Sequence, residues 1–182
     1  MSTCTPLTRG GGPLLMEVDS TATAVRWALA YLGCMQHLAV KKCVVLDIDG
    51  TCLLNGKNGE TKCVLHLRTL VEACHQTGIG IVYVTARPDG ADNRAHTERQ
   101  LERCGIACHD RLYMMPPRAE YARYKYRARQ QVIEDGYTIL LSVGDQWADV
   151  TRKEPTLDDS KIYVGQLGDT SCFAIKLPSE FL

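Results

Sequence analysis

The sequence has no net charge: 21 Lys and Arg are matched by 21 Asp and Glu over 182 residues. That balance excludes a histone-like or acidic-tail protein. A long apolar run is also missing. The best candidate for a membrane span, AVRWALAYLGCMQHLAV at 24–40, is short for a bilayer and contains Arg26, Gln36 and His37. Trp27, Leu29, Tyr31, Leu32 and Leu38 read better as the covering face of an amphipathic helix, with Asp19 and Ser20 as caps ahead of it. No charged segment followed by an apolar stretch opens the chain, so no secretory signal is read there. Internal repeats and low-complexity tracts are absent.

What is present bounds the class. With 45% hydrophobic and 23% charged residues the chain is not globally disordered, and its length suits one domain with a proper core. Residues 1–18, broken by Gly10-Gly11-Gly12-Pro13, read as a flexible tail, and 19–182 as one domain. The nine cysteines are odd in number and too sparse for a disulfide scaffold. The expectation is therefore a reduced, intracellular, cytoplasmic protein whose cysteines pack as small hydrophobes. Cys104, Cys108 and His109 lack a second pair at ligand-like spacing, so no zinc site is assigned.

Apolar, β-branched runs at 43–48, 79–84, 111–115, 138–143 and 161–164 alternate with helical stretches at about 61–77, 91–104 and 118–135. Near-continuous apolar strands alternating with helices predict an α/β fold, a doubly wound parallel sheet flanked by helices on both faces. In such sheets chemistry collects outside the carboxyl ends of the strands. Strand one runs into Asp47-Ile48-Asp49-Gly50-Thr51, the second into Thr85-Ala86-Arg87-Pro88-Asp89, and the 138–143 strand into Gly144-Asp145-Gln146-Trp147-Ala148-Asp149. Asp47 and Asp49 share a side by their spacing, and Asp145 and Asp149 share a helical face. Carboxylates gathered in one crevice repel unless a cation joins them, and oxygen ligands suit Mg²⁺. Thr85 offers a hydroxyl to a phosphoryl oxygen, and Lys125 offers a positive charge.

Together these parts outline phosphoryl transfer. Asp47 would attack phosphorus, and Asp49 would protonate the leaving alcohol and then activate water. The segments VVLDIDGT, VTARPD, Lys125 and GDQWAD resemble the four motifs of the haloacid dehalogenase (HAD) superfamily of phosphotransferases. Within it, TARP at 85–88, YKYR at 124–127, GYTILLSVGDQWAD at 136–149 and the terminal FAIKLP are similar to the plant vegetative-storage and bacterial lipoprotein-type acid phosphatases. One departure is Gly50, where those phosphatases usually carry Glu.

The resemblance implies a phosphatase with catalytic Asp47, Asp49, Thr85 and Lys125, and Mg²⁺ as cofactor at Asp47, Asp49 (through its backbone carbonyl), Asp145 and Asp149. Thr85, Arg87 and Lys125 are the candidate substrate-binding residues, with Arg87 either touching substrate or bracing its loop. The short gaps between motifs leave little or no cap domain. A nucleotide or other small phosphomonoester is the implied substrate.

The charge is unevenly placed. Residues 81–130 carry a local +4 and 131–182 a local −5. Arg111, Arg118, Arg123, Lys125, Arg127 and Arg129 interleave with Tyr113, Tyr121, Tyr124 and Tyr126, a pattern that suits single-stranded nucleic acid. The superfamily that the chain resembles includes polynucleotide 3′-phosphatases, which makes such an end-processing enzyme the main alternative, and a non-catalytic phosphate-binding protein the other. Nucleic acid is not the favoured partner. The four aspartates and Lys125 sum to −3, to be offset by a divalent cation.

Overall fold

A computed structural model of the chain describes residues 14–56, 60–151, 162–164 and 173–179. Strands β1 (Leu14–Glu17), β2 (Lys42–Leu46), β5 (Gly80–Pro88), β6 (Arg111–Met115), β7 (Thr138–Gly144), β8 (Ile162–Val164) and β9 (Phe173–Lys176) form one seven-stranded sheet. A two-stranded hairpin joins β3 (Leu53–Asn55) to β4 (Thr61–Cys63). The helices are α1 (Thr21–Met35), α2 (Leu65–Gln76), α3 (Ala91–Arg103), α4 (Tyr121–Glu134) and α5 (Trp147–Val150).

The spatial order is β6-β5-β2-β7-β9-β1-β8, parallel throughout except for β8, which runs against β1. After β2 the chain builds outward through β5 and β6, then returns to lay β7 on β2's other side. That reversal opens a crevice at the carboxyl ends of β2 and β7. The expected α/β doubly wound sheet is what forms.

Alternation along the central strands explains why they read as unbroken apolar runs. Val44 and Leu46 face a core built with Ala24, Ala28, Leu67 and Leu70 of α1 and α2. Cys43 and Val45 face the other side, where Ala128 and Val132 of α4 meet Val82 and Ile139. Helix α1 begins where Ser20 accepts from the Thr23 amide at 3.2 Å, the cap expected there. It ends at Met35, short of residue 40. Trp27, expected to cover core, is 48% exposed.

Three sequence expectations need correction. Leu14–Glu17 belongs to the sheet and not to a tail, since Leu15 and Met16 bury against β9 and α5 neighbours; residues 1–13 lie outside the described residues. Residues 61–63 are strand, and helix α2 begins only at Leu65. The cysteines are not all reduced: Cys63 and Cys104 form a disulfide that ties β4 to the end of α3. Cys43, Cys52, Cys74 and Cys108 are free thiols. Among the described residues between β2 and β5 stand only the hairpin and one helix, with no large cap inserted there.

Candidate active site

The crevice is furnished by the loops that leave β2 and β7. The Asp47 amide donates to the Val143 carbonyl at 3.0 Å, which fixes Asp47 at the end of β2 beside β7. Its carboxylate is buried and accepts from Lys125 Nζ and, at 3.4 Å, from Thr51 Oγ1. Lys125 reaches in from α4 and is 1% exposed. Its remaining donors meet Asp149 Oδ1 at 2.7 Å and the Val84 carbonyl at 2.7 Å, so all three N–H groups are satisfied.

Asp149 and Asp145 are held by the turn after β7. The Gln146 amide donates to Asp149 Oδ2 at 3.0 Å, and the Gln146 side chain donates to Asp145 Oδ2 at 2.8 Å. Ser179 Oγ donates to the Asp145 carbonyl at 2.8 Å, which pins the same turn from the segment after β9. Two glycines are required by this closeness. A Cβ on Gly50, whose φ is +80°, would run into the Asp145 carboxylate, and one on Gly144 would run into Asp149.

Electrostatics follow from burial. Desolvation pushes the Asp47 carboxyl above its ordinary value, Asp149 adds to the push, and Lys125 pulls it down. Burial also raises Asp145, against the hydrogen bond from Gln146. Desolvation alone would lower Lys125, but Asp149 and Asp47 outweigh it and raise its pKa.

Asp49 is placed differently. Arg87 grips it bidentately, Nε to Oδ2 and Nη2 to Oδ1, each at 2.8 Å, and Asn55 Nδ2 donates to Oδ1 at 3.0 Å. Burial works to raise this carboxyl, yet Arg87 and Asn55 prevail and hold it below the ordinary value. A closed ring of hydrogen bonds surrounds the pair. Arg87 Nη1 donates to Gln100 Oε1 (2.6 Å), Gln100 Nε2 to Thr61 Oγ1 (2.8 Å), and Thr61 Oγ1 to Asn55 Oδ1 (3.5 Å).

A metal fits here. One carboxylate oxygen each from buried Asp47, Asp145 and Asp149 lies within 4.8 Å of the others. Asp145 Oδ1 is buried with no hydrogen-bond partner, as an oxygen reserved for a cation would be. The Asp49 carboxylate is not in this cluster and is held by Arg87, whereas the ligand that the resemblance implies at this position is the Asp49 backbone carbonyl.

Thr85 is buried in the last part of β5, three residues before its end, where its Oγ1 accepts from the Arg87 amide at 3.2 Å. Arg87 braces: its guanidinium binds Asp49, Thr97 and Gln100. The basic, tyrosine-rich run divides between interior and surface. Lys125 and Arg129 are buried, Arg129 donating to the Ala148 and Asp149 carbonyls at 2.7 and 2.8 Å. Tyr113 donates to Asp135 and Tyr121 to Asp149, while Arg118, Arg123 and Arg127 are exposed.

Sequence reasoning missed Asn55, Thr61, Gln100 and Ser179 as supports of the site. Asn55-Gly56 is the available hairpin signal for the first two; Gln100 and Ser179 have none, because their roles come from long-range packing.

A mostly parallel α/β sheet with a lysine-bridged carboxylate cluster at the ends of β2 and β7 defines the class, an α/β fold of the HAD type. The chain belongs to the HAD superfamily, subfamily IIIB (acid phosphatase), whose family match covers residues 56–175 and so begins after Asp47 and Asp49.

Over 77 residues, 40% of this chain, it is 31% identical to the stem 28 kDa and stem 31 kDa glycoproteins of Glycine max. That stretch spans 30% and 26% of those relatives' lengths. Its fold is similar to the class C acid phosphatase from Bacillus anthracis, with a TM-score of 0.59 at 18% identity over 72% of this chain and 64% of that one. The structure of that class C acid phosphatase with tungstate bound gives 0.56 at 18% identity, over 71% and 62% of the two chains. Among the described residues, no helix is long and apolar enough to cross a membrane.

Proposed function

We propose that this chain, as one catalytic domain, hydrolyses small phosphomonoesters through an aspartyl-phosphate on Asp47. The observation that carries the reading is the buried cluster itself: Lys125 bonds Asp47 and Asp149 together, and Asp145 leaves a buried oxygen free beside them. Asp47, Asp145 and Asp149 would hold Mg²⁺. When bound, that ion neutralises the approach of an anionic phosphoryl group to an anionic nucleophile.

Asp47 Oδ forms the bond to phosphorus as the bond from phosphorus to the leaving oxygen breaks. Asp49 delivers its proton to that oxygen, then accepts a proton from the water that displaces Asp47 and releases inorganic phosphate. Both Asp49 oxygens accept from Arg87, so carrying a proton requires one of them to leave the fork. Thr85 would donate its hydroxyl to the transferring group, and Lys125, whose three donors are engaged by Asp47, Asp149 and the Val84 carbonyl, would offset its charge from beside the nucleophile. The oxyanion tungstate bound by a class C acid phosphatase of similar fold is in keeping with a phosphate site. The inward turn of Lys125 and Arg129 favours a small substrate over a nucleic-acid strand. The Cys63–Cys104 disulfide favours an oxidising compartment over the cytoplasm.

The test is Mg²⁺-dependent hydrolysis of an aryl phosphate. Asp47→Asn and chelation are each expected to abolish turnover; equal rates for wild type and Asp47→Asn would overturn the proposal.

A further inference from the structure

Asp49 faces two ways. Its backbone adjoins the carboxylate cluster, while its carboxylate lines a cleft of about 450 Å³ together with Asn55, Arg87, Asn93, His96 and Gln100. Resting on the phosphatase reading above, the leaving group must occupy this cleft, because the proton donor has to meet the leaving oxygen.

The cleft's chemistry is uniform. Asn93, His96, Thr97 and Gln100 fall at i, i+3, i+4 and i+7 of α3, so one helix face turns an uncharged hydrogen-bonding stripe toward Asp49. Asn55 supplies a further amide from the hairpin. The charges present, Asp49 and Arg87, cancel in their own ion pair. Among the described lining residues there is no Phe, Tyr or Trp on which a nucleobase could stack. Gln100 and His96 also line an adjoining cleft of about 440 Å³, so the polar surface continues beyond the first.

We infer that this cleft is a leaving-group site for a neutral, hydroxyl-rich alcohol, and that the substrate class is a sugar or polyol monophosphate, not a nucleotide. Side-chain amides and imidazole both donate and accept, which matches hydroxyls that do the same. Asn93 and His96 are exposed on the first turns of α3; Asn93 Nδ2 donates to the Pro88 carbonyl at 3.0 Å, which orients the amide and leaves its second N–H for such contacts, whereas Arg87 and Gln100 fix the floor through their ring.

Steady-state kinetics with Mg²⁺ on a hexose 6-phosphate, glycerol phosphate, a nucleoside 5′-monophosphate and an aryl phosphate decide the matter. The expected result is a kcat/KM for the hexose phosphate above that for the nucleotide. Asn93→Leu and His96→Leu should each lower the ratio of hexose phosphate to aryl phosphate activity by about three- to tenfold, the range for one lost neutral hydrogen bond. Preference for the nucleotide, or an unchanged ratio in both variants, would overturn the inference while leaving the phosphatase reading intact. Absence of aryl phosphate hydrolysis by the wild type would instead remove the reading beneath it.

Discussion

Lys125 is the only described cation that touches two carboxylates of the cluster, and replacing it tests how the site is held. Lys125→Met keeps the length of the side chain and removes three hydrogen bonds, to Asp47, Asp149 and the Val84 carbonyl. Because Lys125 is 1% exposed, water cannot stand in for it. Removing one partner of a buried ion pair costs about 3–5 kcal/mol. For a domain of this size that is a fall in Tm of roughly 6–20 °C.

The penalty should depend on pH and on metal. In chelator, Asp47 has a pKa raised above its ordinary 3.8 by burial, so folding favours its protonated form. Its contribution to stability is full below 3.8 and is lost as the pH rises. Without Lys125 to oppose the rise, that loss deepens, so the gap between variant and wild type widens from acid toward neutral pH. A cation that binds only the native state adds about 2.7 kcal/mol at a hundredfold excess over its Kd. Mg²⁺ should rescue the variant more than the wild type, because no ammonium competes for the same oxygens. Thermal unfolding followed by circular dichroism, in chelator and in Mg²⁺ at acid and neutral pH, reads all of this. A penalty under about 1 kcal/mol, or one indifferent to both pH and Mg²⁺, would refute the reasoning.

Two further outcomes follow from the geometry. Replacing Cys63 and Cys104 together by Ala frees a loop closed over a separation of 41 residues and should cost about 4 kcal/mol on a chain-entropy basis, read as a lower urea midpoint. An unchanged midpoint would mean the pair does not constrain the chain. Gly50→Ala places a Cβ at φ +80° against the Asp145 carboxylate and should cost about 1–3 kcal/mol while weakening Mg²⁺ dependence, measured as the Mg²⁺ concentration for half-maximal activity. Unaltered Mg²⁺ dependence would separate Asp145 from the metal.

Much of the site was readable because it depends on local order. Asp47, Thr85 and Asp145 follow apolar runs directly, and a parallel sheet brings strand ends to one crevice whatever its outer strands do. Lys125 could be offered as the site's positive charge but had no local signal of burial, since nothing in YARYKYRARQ marks which basic residue turns inward. The outer half of the sheet was less legible. Leu14–Glu17 pairs with residues 173–176 at the far end of the chain, and no local pattern encodes such a partner. The same holds for Cys63 and Cys104, which meet because β4 and the end of α3 do.

The zero net charge now resolves differently from the sequence arithmetic. Counting four aspartates against Lys125 leaves −3, which one divalent cation would not neutralise. The fork between Arg87 and Asp49 removes that aspartate from the sum. What remains in the cluster is three carboxylates and one ammonium, a charge of −2 with the carboxylates ionised. That is the charge of a single Mg²⁺ with the sign reversed. Asp49, the proposed acid/base group, is thereby held apart from the proposed metal site and lines the cleft assigned to the leaving group. The two halves of the proposed reaction, attack on phosphorus and proton transfer, are served by two separately neutralised sets of side chains.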